Sequence, residues 1–266
     1  MCFPTTGMRG TGDLRWETSA RSTVRRSRLR YRKTPSMSMS FSSRARCTLY
    51  YRISPCKPPG GSGSMMLMYD RKDAWYRQAK KEGYRSRAAY KLTQIAAKEK
   101  AVRSGDRVID AGAAPGGWSQ ILLGMVGGKG KVAAVDLLPM APLPGENFRF
   151  WQRDLTDPAL PQELLSFLGG KADAIVSDAA PNTTGSSFTD QARSAELVRA
   201  VFGLARETLR EGGTFLAKIF GGAESDAVFR ELKPFFAELR RIRPEATRKE
   251  SFELYFLGKG FRQATR

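Results

Sequence analysis

The sequence predicts an α/β fold with a mostly parallel, seven-stranded sheet that contains one antiparallel strand and carries helices on both faces. From residue 107 onward, strand patterns alternate with helical patterns, which is the order that builds parallel sheets with right-handed crossovers. The last two strand patterns lie close together in the sequence, which permits a hairpin and therefore one antiparallel strand.

The predicted elements follow in order along the chain. Residues 69–99 carry two helical patterns that are separated at Gly83. The strands are predicted at 107–111, 131–137, 148–155, 173–179, 214–220, 239–245 and 252–258. The helices that alternate with them are predicted at 117–126, 158–168, 190–210 and 224–236.

Residues 1–64 differ in composition from the rest of the chain. They hold 13 Lys and Arg but only 2 Asp and Glu, show no sustained apolar period, and end in PCKPPGGSGS. We expect a disordered basic extension there, followed by a single domain over residues 65–266. Three interpretations of the extension stay open: a segment upstream of the true start near Met65, an organellar transit peptide, or a basic arm that contacts RNA.

Composition restricts the chemistry and the partners. The net charge of +19 indicates a polyanion partner, for which nucleic acid is the first candidate. The chain has no histidine, and its three cysteines lie within the first 64 residues, so proton chemistry in the body falls to Lys, Asp, Glu or Tyr. No metal and no membrane partner is expected, because Cys/His clusters and long apolar stretches are missing. We expect a cytoplasmic protein, or a mitochondrial one if the extension is a transit peptide.

The stretch RVIDAGAAPGGW at residues 107–118 reads as a strand, a glycine-rich turn and the start of a helix. This arrangement is typical of the cofactor end of an open α/β sheet, where missing Cβ atoms let a ligand approach the backbone. The glycine spacing is not G-x-G-x-x-G, so the dinucleotide fingerprint is absent. We expect Asp110 to order the turn by accepting hydrogen bonds from its N–H groups.

Four successive strand predictions carry an aspartate at their carboxyl end, and together they predict an acidic edge where ligands bind. These residues are Asp110, Asp136, Asp154 and Asp178. Asp136 lies twenty positions after Gly116, the usual offset for an acid that accepts ribose hydroxyls. Asp154 could accept an adenine amino group by its location. Asp178 begins the turn-rich loop SDAAPNTTG.

Three further charged residues have unusual places in the pattern. Lys218 interrupts the apolar run TFLAKIF, where an unpaired ammonium is costly and where catalytic lysines find partly desolvated sites. The alternative is a strand-end lysine that reaches water along its stem. Lys91 falls on the margin of a buried helix face. Glu253 leaves its strand on the face opposite Phe252 and Leu254, and alone it would read as a solvent-facing acid.

Six sequence blocks between about residues 69 and 258 resemble the FtsJ/RrmJ-like ribose 2′-O-methyltransferases: EGYRSRAAYKL, DAGAAPGGWSQ, AVDLLPM, SDAAPN, AKIF and ELYFLG. The resemblance implies a Rossmann-like methyltransferase domain that uses S-adenosylmethionine. It implies a catalytic tetrad of Lys91, Asp178, Lys218 and Glu253. It also implies cofactor contacts at Gly116, Trp118, Asp136, Asp154 and Asp178.

The same resemblance implies a monomeric enzyme that methylates the ribose of a uridine in large-subunit ribosomal RNA, with the large ribosomal subunit as its partner. Two alternatives stay open at this point. One is a ribose methyltransferase for transfer RNA or for the mRNA cap. The other is a non-catalytic RNA-binding factor for ribosome assembly on the same scaffold, because a fold alone does not determine a function.

Overall fold

The computed structural model describes residues 74–248 and 251–263, so the expectations for residues 1–64 lie outside the described part. Seven strands are present there: β1 (Arg107–Ala111), β2 (Lys131–Asp136), β3 (Phe148–Gln152), β4 (Ala172–Ser177), β5 (Leu209–Phe220), β6 (Phe236–Ile242) and β7 (Glu253–Phe261). Six α-helices accompany them: α1 (Ala74–Lys81), α2 (Ala88–Glu99), α3 (Gly117–Val126), α4 (Leu160–Leu168), α5 (Ser187–Thr208) and α6 (Ala223–Leu232). None of these described helices is long and apolar enough to cross a membrane.

All seven strands belong to one sheet of order β3-β2-β1-β4-β5-β7-β6. The first five strands pair in parallel, and β7 runs antiparallel to both of its neighbours. The prediction of a mostly parallel, Rossmann-like sheet with one antiparallel strand is therefore confirmed. The short connection from β6 to β7 explains the antiparallel pair, since a parallel neighbour would need a longer crossover.

Two apolar cores cover the two faces of the sheet. One contains Leu164 of α4 and Val201 of α5 together with Ile109 of β1. The other contains Leu92 of α2 and the next residue of β1, Val108. Because successive residues of a strand point to opposite faces, β1 is buried on both sides. The prediction that helices cover both faces of the sheet is therefore also confirmed.

The observed boundaries of helices and strands match the predicted ones most closely beside the glycine turn. Strand β1 and helix α3, which flank the glycine turn, begin and end where the sequence predicts. Strand β5 begins at Leu209 rather than at residue 214, because Leu209 pairs with Ala172 of β4. Strand β6 begins at Phe236, inside the predicted last helix, because a short 3₁₀ turn at Lys233–Phe235 ends α6 early.

The strand order places the ligand edge between β1 and β4. From β1 the chain moves outward to β2 and β3, and it then returns to place β4 on the other side of β1. At such a switch point the loops that follow the two central strands diverge and leave a crevice. The loops concerned follow Ala111 and Ser177, and both carry residues that the sequence predicts for the site.

Candidate active site

A cavity of about 250 Å³ lies at this switch point. Three of the predicted cofactor residues line it: Asp136, Asp154 and Asp178. Most of the remaining lining is apolar and includes Leu155 from the loop after β3 and Leu197 from α5. The cavity therefore combines an apolar surface with three separated carboxylates, a combination suited to an organic ligand that carries several hydrogen-bond donors.

Asp136, the last residue of β2, organises the glycine turn. Its Oδ2 accepts a hydrogen bond from the Ala114 N–H at 2.8 Å, and its Oδ1 accepts one from the Leu138 N–H at 2.8 Å. Burial raises the pKa of Asp136, and these N–H groups only partly oppose that effect. The expectation that Asp110 orders the turn is wrong, because Asp136 reaches across from the neighbouring strand to do so.

Asp110 is instead buried within β1, beneath the start of α3. Its Oδ2 accepts a hydrogen bond from the Ser119 hydroxyl at 2.6 Å, and its Oδ1 has no partner among the described residues. Burial raises the pKa of Asp110 to about 7, and the negative charges of Asp136 and Asp178 add to the increase. The buried carboxyl therefore keeps its proton to a higher pH than an exposed aspartate does.

Asp154 lies in the loop after β3 rather than at the end of the strand, because β3 already ends at Gln152. Its Oδ1 accepts hydrogen bonds from both the N–H and the hydroxyl of Thr156, each at 2.8 Å. These two bonds fix the carboxylate at the rim of the cavity, on the side of the outer strands.

Glycine is required at position 112 by the approach of two loops. Gly112 has a φ of +80°, and a Cβ there would stand 2.5 Å from the Cβ of Ala179 in the loop after β4. The missing side chain therefore lets the glycine turn and the loop of Asp178 meet at the edge of the cavity.

Gly116 and Trp118 occupy a different part of the turn. A Cβ at Gly116 would meet the Arg85 guanidinium and the Met140 sulfur, each at 2.8 Å. The Trp118 indole is buried, donates its N–H to the Ala88 carbonyl at 2.8 Å, and stacks on Tyr255. Neither residue lines the cavity, so the structure does not bring these two predicted contacts together with the three acids.

Arg85, which the sequence reading did not single out, ties the loops around Gly116. Its guanidinium donates to the carbonyls of Ala141 at 2.6 Å and Pro142 at 2.8 Å. A longer bond of 3.3 Å reaches the Pro115 carbonyl in the glycine turn. Arginine can do this because its fork presents several donors in a fixed plane. The arginine thus links the segment before α2 to the glycine turn before α3 and to the loop after β2.

The four predicted tetrad residues form two adjacent ion pairs. The Lys218 side chain is only 6% exposed, and its Nζ donates to the Asp178 carbonyl oxygen at 2.7 Å. The same Nζ lies 3.2 Å from Asp178 Oδ1. Lys91 Nζ lies 2.6 Å from Glu253 Oε2. Glu253 is therefore not a solvent-facing acid, and Lys218 is not a strand-end lysine that reaches water.

Tyr255 is a member of this cluster that the sequence reading missed. It is buried, and its hydroxyl donates to Asp178 Oδ1 at 2.6 Å. Burial and the Asp178 charge raise the pKa of Tyr255 well above its ordinary value. A signal was available, since Tyr255 shares a face of β7 with Glu253 and a buried tyrosine needs a partner for its hydroxyl.

The charges of the cluster balance one another. Burial would raise the pKa of Asp178, but the Lys218 and Lys91 charges and the Tyr255 hydrogen bond hold it below its ordinary value. Burial would likewise raise the pKa of Glu253, and the Lys91 and Lys218 charges hold it below its ordinary value. Both acids therefore remain ionised, and each supports a buried ammonium group that would otherwise be expensive to desolvate.

The chain is similar to known methyltransferases. A model of the FtsJ-like methyltransferase family matches residues 84–261. A ribosomal RNA large subunit methyltransferase E from Methanothermobacter thermautotrophicus is 46% identical over 192 residues, or 72% of this chain and 91% of that protein. One of the same name from Archaeoglobus fulgidus is 46% identical over 198 residues, or 74% of this chain and all of that protein.

A solved structure is also similar. A ribosomal RNA methyltransferase from Plasmodium falciparum superposes with a TM-score of 0.59 at 28% sequence identity, covering 67% of this chain and 98% of that one. The family match extends over more than half of the chain and contains the glycine turn, the three cavity acids and both ion pairs. On this evidence the chain belongs to the FtsJ-like methyltransferase family.

Proposed function

We propose that this protein transfers a methyl group from S-adenosylmethionine to the 2′-oxygen of a uridine ribose in large-subunit ribosomal RNA. The observation that carries the proposal is the position of Lys218. Its buried ammonium group is held by Asp178, and Asp178 also lines the cavity at the switch point. Asp178 therefore lies between a cavity that can hold a cofactor and a buried amine. Methyl transfer to a hydroxyl requires both, a site for the methyl donor and a group that handles the proton of the hydroxyl.

The residues of the cavity fit S-adenosylmethionine. Asp136 and Asp154 offer carboxylate oxygens for ribose hydroxyls and for an adenine amino group, beside the apolar Leu155. Asp178 offers negative charge toward the cationic end of the molecule. The separation of the acids along an apolar lining suits a ligand with polar groups at both ends. When bound, the cofactor supplies an electrophilic methyl group on a positively charged sulfur.

We assign Lys218 the central role in the chemistry of the acceptor. A ribose 2′-hydroxyl must lose its proton as its oxygen forms a bond to carbon. Lys218 orients the hydroxyl, and its neutral amine form takes up that proton; Asp178 then stabilises the resulting ammonium through its two oxygen contacts. Alignment of oxygen and methyl group should supply much of the rate, because reacting atoms held in line gain the entropy advantage of an intramolecular reaction.

Lys91, Glu253 and Tyr255 hold the reacting groups in position. Glu253 fixes the Lys91 ammonium at 2.6 Å, and Tyr255 donates its hydroxyl to the Asp178 carboxylate at 2.6 Å. The buried Lys91 charge thereby helps to hold the pKa of Asp178 below its ordinary value, so that Asp178 stays ionised beside Lys218. These roles are positional, since neither Glu253 nor Tyr255 needs to exchange a proton with the ribose.

The substrate class rests on two supports. The curated relatives with 46% identity carry names that specify the large subunit ribosomal RNA. The chain also has a net charge of +19, which favours a polyanion. Ribosomal RNA is therefore favoured over transfer RNA and the mRNA cap.

The test is transfer of a tritiated methyl group from S-adenosylmethionine to unmethylated large ribosomal subunits and to the same RNA free of protein. We expect label in ribosomal RNA, at the 2′-oxygen of one uridine, located by mapping of the labelled nucleotide. If label appeared only in transfer RNA or capped RNA offered in parallel, that RNA and not ribosomal RNA would be the substrate. Cofactor binding without transfer to any RNA would favour a non-catalytic assembly factor.

A further inference from the structure

A second cleft, of about 330 Å³, adjoins the Lys91–Glu253 ion pair. Its lining includes Glu253, which belongs to one of the ion pairs, and Phe220 at the end of β5. Phe220 lies opposite Glu253 in the pairing of β5 with β7, and Lys218 lies two residues earlier on β5. Residues two apart on a strand point to the same face, so Phe220 of the cleft and the Lys218 side chain lie on the same side of the sheet.

Phe252 forms an unusual wall of this cleft. Its side chain is 72% exposed, yet it directly precedes Glu253 and lines the cleft. The backbone beneath it is fixed, because its carbonyl accepts a hydrogen bond from the Gly221 N–H at 2.8 Å. A single exposed apolar side chain is ordinary by itself. Here a fixed backbone presents an aromatic face beside the proposed reaction centre.

The facing wall, formed by the loop before α5 and its first turn, is also preformed. Asp190 accepts hydrogen bonds from the N–H of Thr184 at 2.8 Å and from its hydroxyl at 2.9 Å. These bonds hold the pKa of Asp190 below its ordinary value and engage its carboxylate. Glu253 is likewise engaged, by Lys91, and the remaining polar side chains of the lining are neutral and comprise Thr183, Ser187, Gln191 and Ser251. The cleft thus pairs an aromatic face with neutral hydrogen-bonding groups and with two carboxylates that already have partners.

We propose that this cleft binds a nucleobase of single-stranded RNA, stacked on Phe252, next to the ribose that is methylated. The inference rests on the proposed function and names a subsite for its substrate. A nucleobase has an apolar face and an uncharged hydrogen-bonding edge, which correspond to the two kinds of surface in the cleft. Its position beside Glu253 is continuous with the ion pairs, so a nucleotide adjoining the target would reach it.

The test compares Phe252→Ala with Phe188→Ala in the full-length chain. Phe188 is a matched control, because it is 73% exposed in the first turn of α5 and does not line the cleft. We expect Phe252→Ala to raise the KM for ribosomal RNA about tenfold, a change in the range of one base–aromatic stack. Phe188→Ala should leave that KM within about twofold, and both variants should keep the KM for the cofactor. Phe252→Trp should restore the KM for RNA, since a larger ring still stacks.

Direct binding separates this subsite from the proposed function. The probe is a fluorescently labelled, uridine-rich single-stranded RNA oligonucleotide, with affinity measured by anisotropy in the absence of cofactor. We expect Phe252→Ala to bind it about tenfold more weakly than wild type or Phe188→Ala. Equal affinities for Phe252→Ala and wild type, or equal losses for the two alanine variants, would overturn the proposal. A wild-type protein that binds this RNA through Phe252 yet transfers no methyl group would refute only the proposed function.

Discussion

The two ends of strand β4 each carry an aspartate in an ion pair, but the two pairs are built differently. At the amino end, Asp173 accepts from the Arg107 N–H at 2.8 Å and from Arg210 Nε at 2.6 Å. The side chains of these arginines are 34% and 45% exposed. At the carboxyl end, Asp178 pairs with a Lys218 side chain that is only 6% exposed.

The difference separates ion pairs that stabilise the fold from ion pairs that can take part in a reaction. An arginine keeps its charge and donates from a rigid fork, so the partly exposed pairs of Asp173 join strand ends at little cost. A lysine buried beside an acid is expensive to desolvate and can exchange a proton. Of the two ends of β4, only the carboxyl end therefore carries buried charges whose desolvation cost is explained by a role in a reaction.

The largest expected effect comes from exchanging each aspartate for its amide. Asp178→Asn removes the negative charge that supports Lys218 and the one that faces the cavity, so methyl transfer should fall on the order of 10⁴-fold. Asp173→Asn should leave transfer within about twofold and lower the free energy of unfolding by about 1 kcal/mol. Single-turnover transfer and urea unfolding measure the two effects. Comparable losses of transfer in both variants would remove the distinction between the two ends.

A second effect concerns the buried Asp110 beneath the carboxyl edge. Its pKa is about 7 in the folded protein and near 3.8 when the chain is unfolded. Between these values the folded state keeps a proton that the unfolded state has lost, so the contribution of Asp110 to stability declines as pH rises from about 4 to 7. A shift of roughly three units corresponds to about 4 kcal/mol.

Asp110→Asn removes this titration while an amide oxygen can still accept from the Ser119 hydroxyl. We expect the variant to gain stability relative to wild type as pH rises, with the gain complete above about pH 7. Thermal unfolding of both proteins between pH 4 and 8 measures the difference. A difference that does not change with pH would mean that the Asp110 carboxyl is already ionised in the folded protein.

The smallest effect compares two glycines at opposite edges of the sheet. Gly112 has a φ of +80° and a Cβ position 2.5 Å from Ala179, whereas Gly105 has a φ of +85° and open space around that position. Gly105→Ala should cost about 1 kcal/mol for the backbone conformation alone, and Gly112→Ala about 3 kcal/mol because a clash is added. Urea unfolding provides the comparison, and equal costs would show that the loops at the carboxyl edge separate easily.

Much of the fold was predictable because its signals are local. The glycine turn defines the end of β1 and the start of α3, and both were placed correctly. The start of β5 was missed because the segment from Leu209 to Gly213 contains no apolar alternation, and its extended form depends on pairing with β4. Such pairing is a tertiary effect that no window of sequence contains.

The site was predictable to the extent that a residue disturbs its local pattern. Lys218 stands out in an apolar strand, and it lies in the cluster where the sequence suggested a functional group. Asp110 and Asp136 were harder to distinguish, because each lies at the carboxyl end of a strand and only the sheet decides which one reaches the glycine turn. Tyr255 was overlooked since a tyrosine in a β-strand is common, and only its partner reveals its role.

The central claim is that Lys218 acts on the acceptor hydroxyl rather than on the cofactor or the fold. It is tested most directly by measuring methyl transfer and S-adenosylmethionine affinity on the same preparation of Lys218→Ala, with Arg210→Ala as the control from the amino end of β4. We predict a loss of transfer of at least about 10³-fold for Lys218→Ala and a cofactor Kd within about threefold of wild type. Arg210→Ala should retain both activities. Parallel loss of transfer and cofactor binding in Lys218→Ala, or transfer that persists without the amine, would contradict the account.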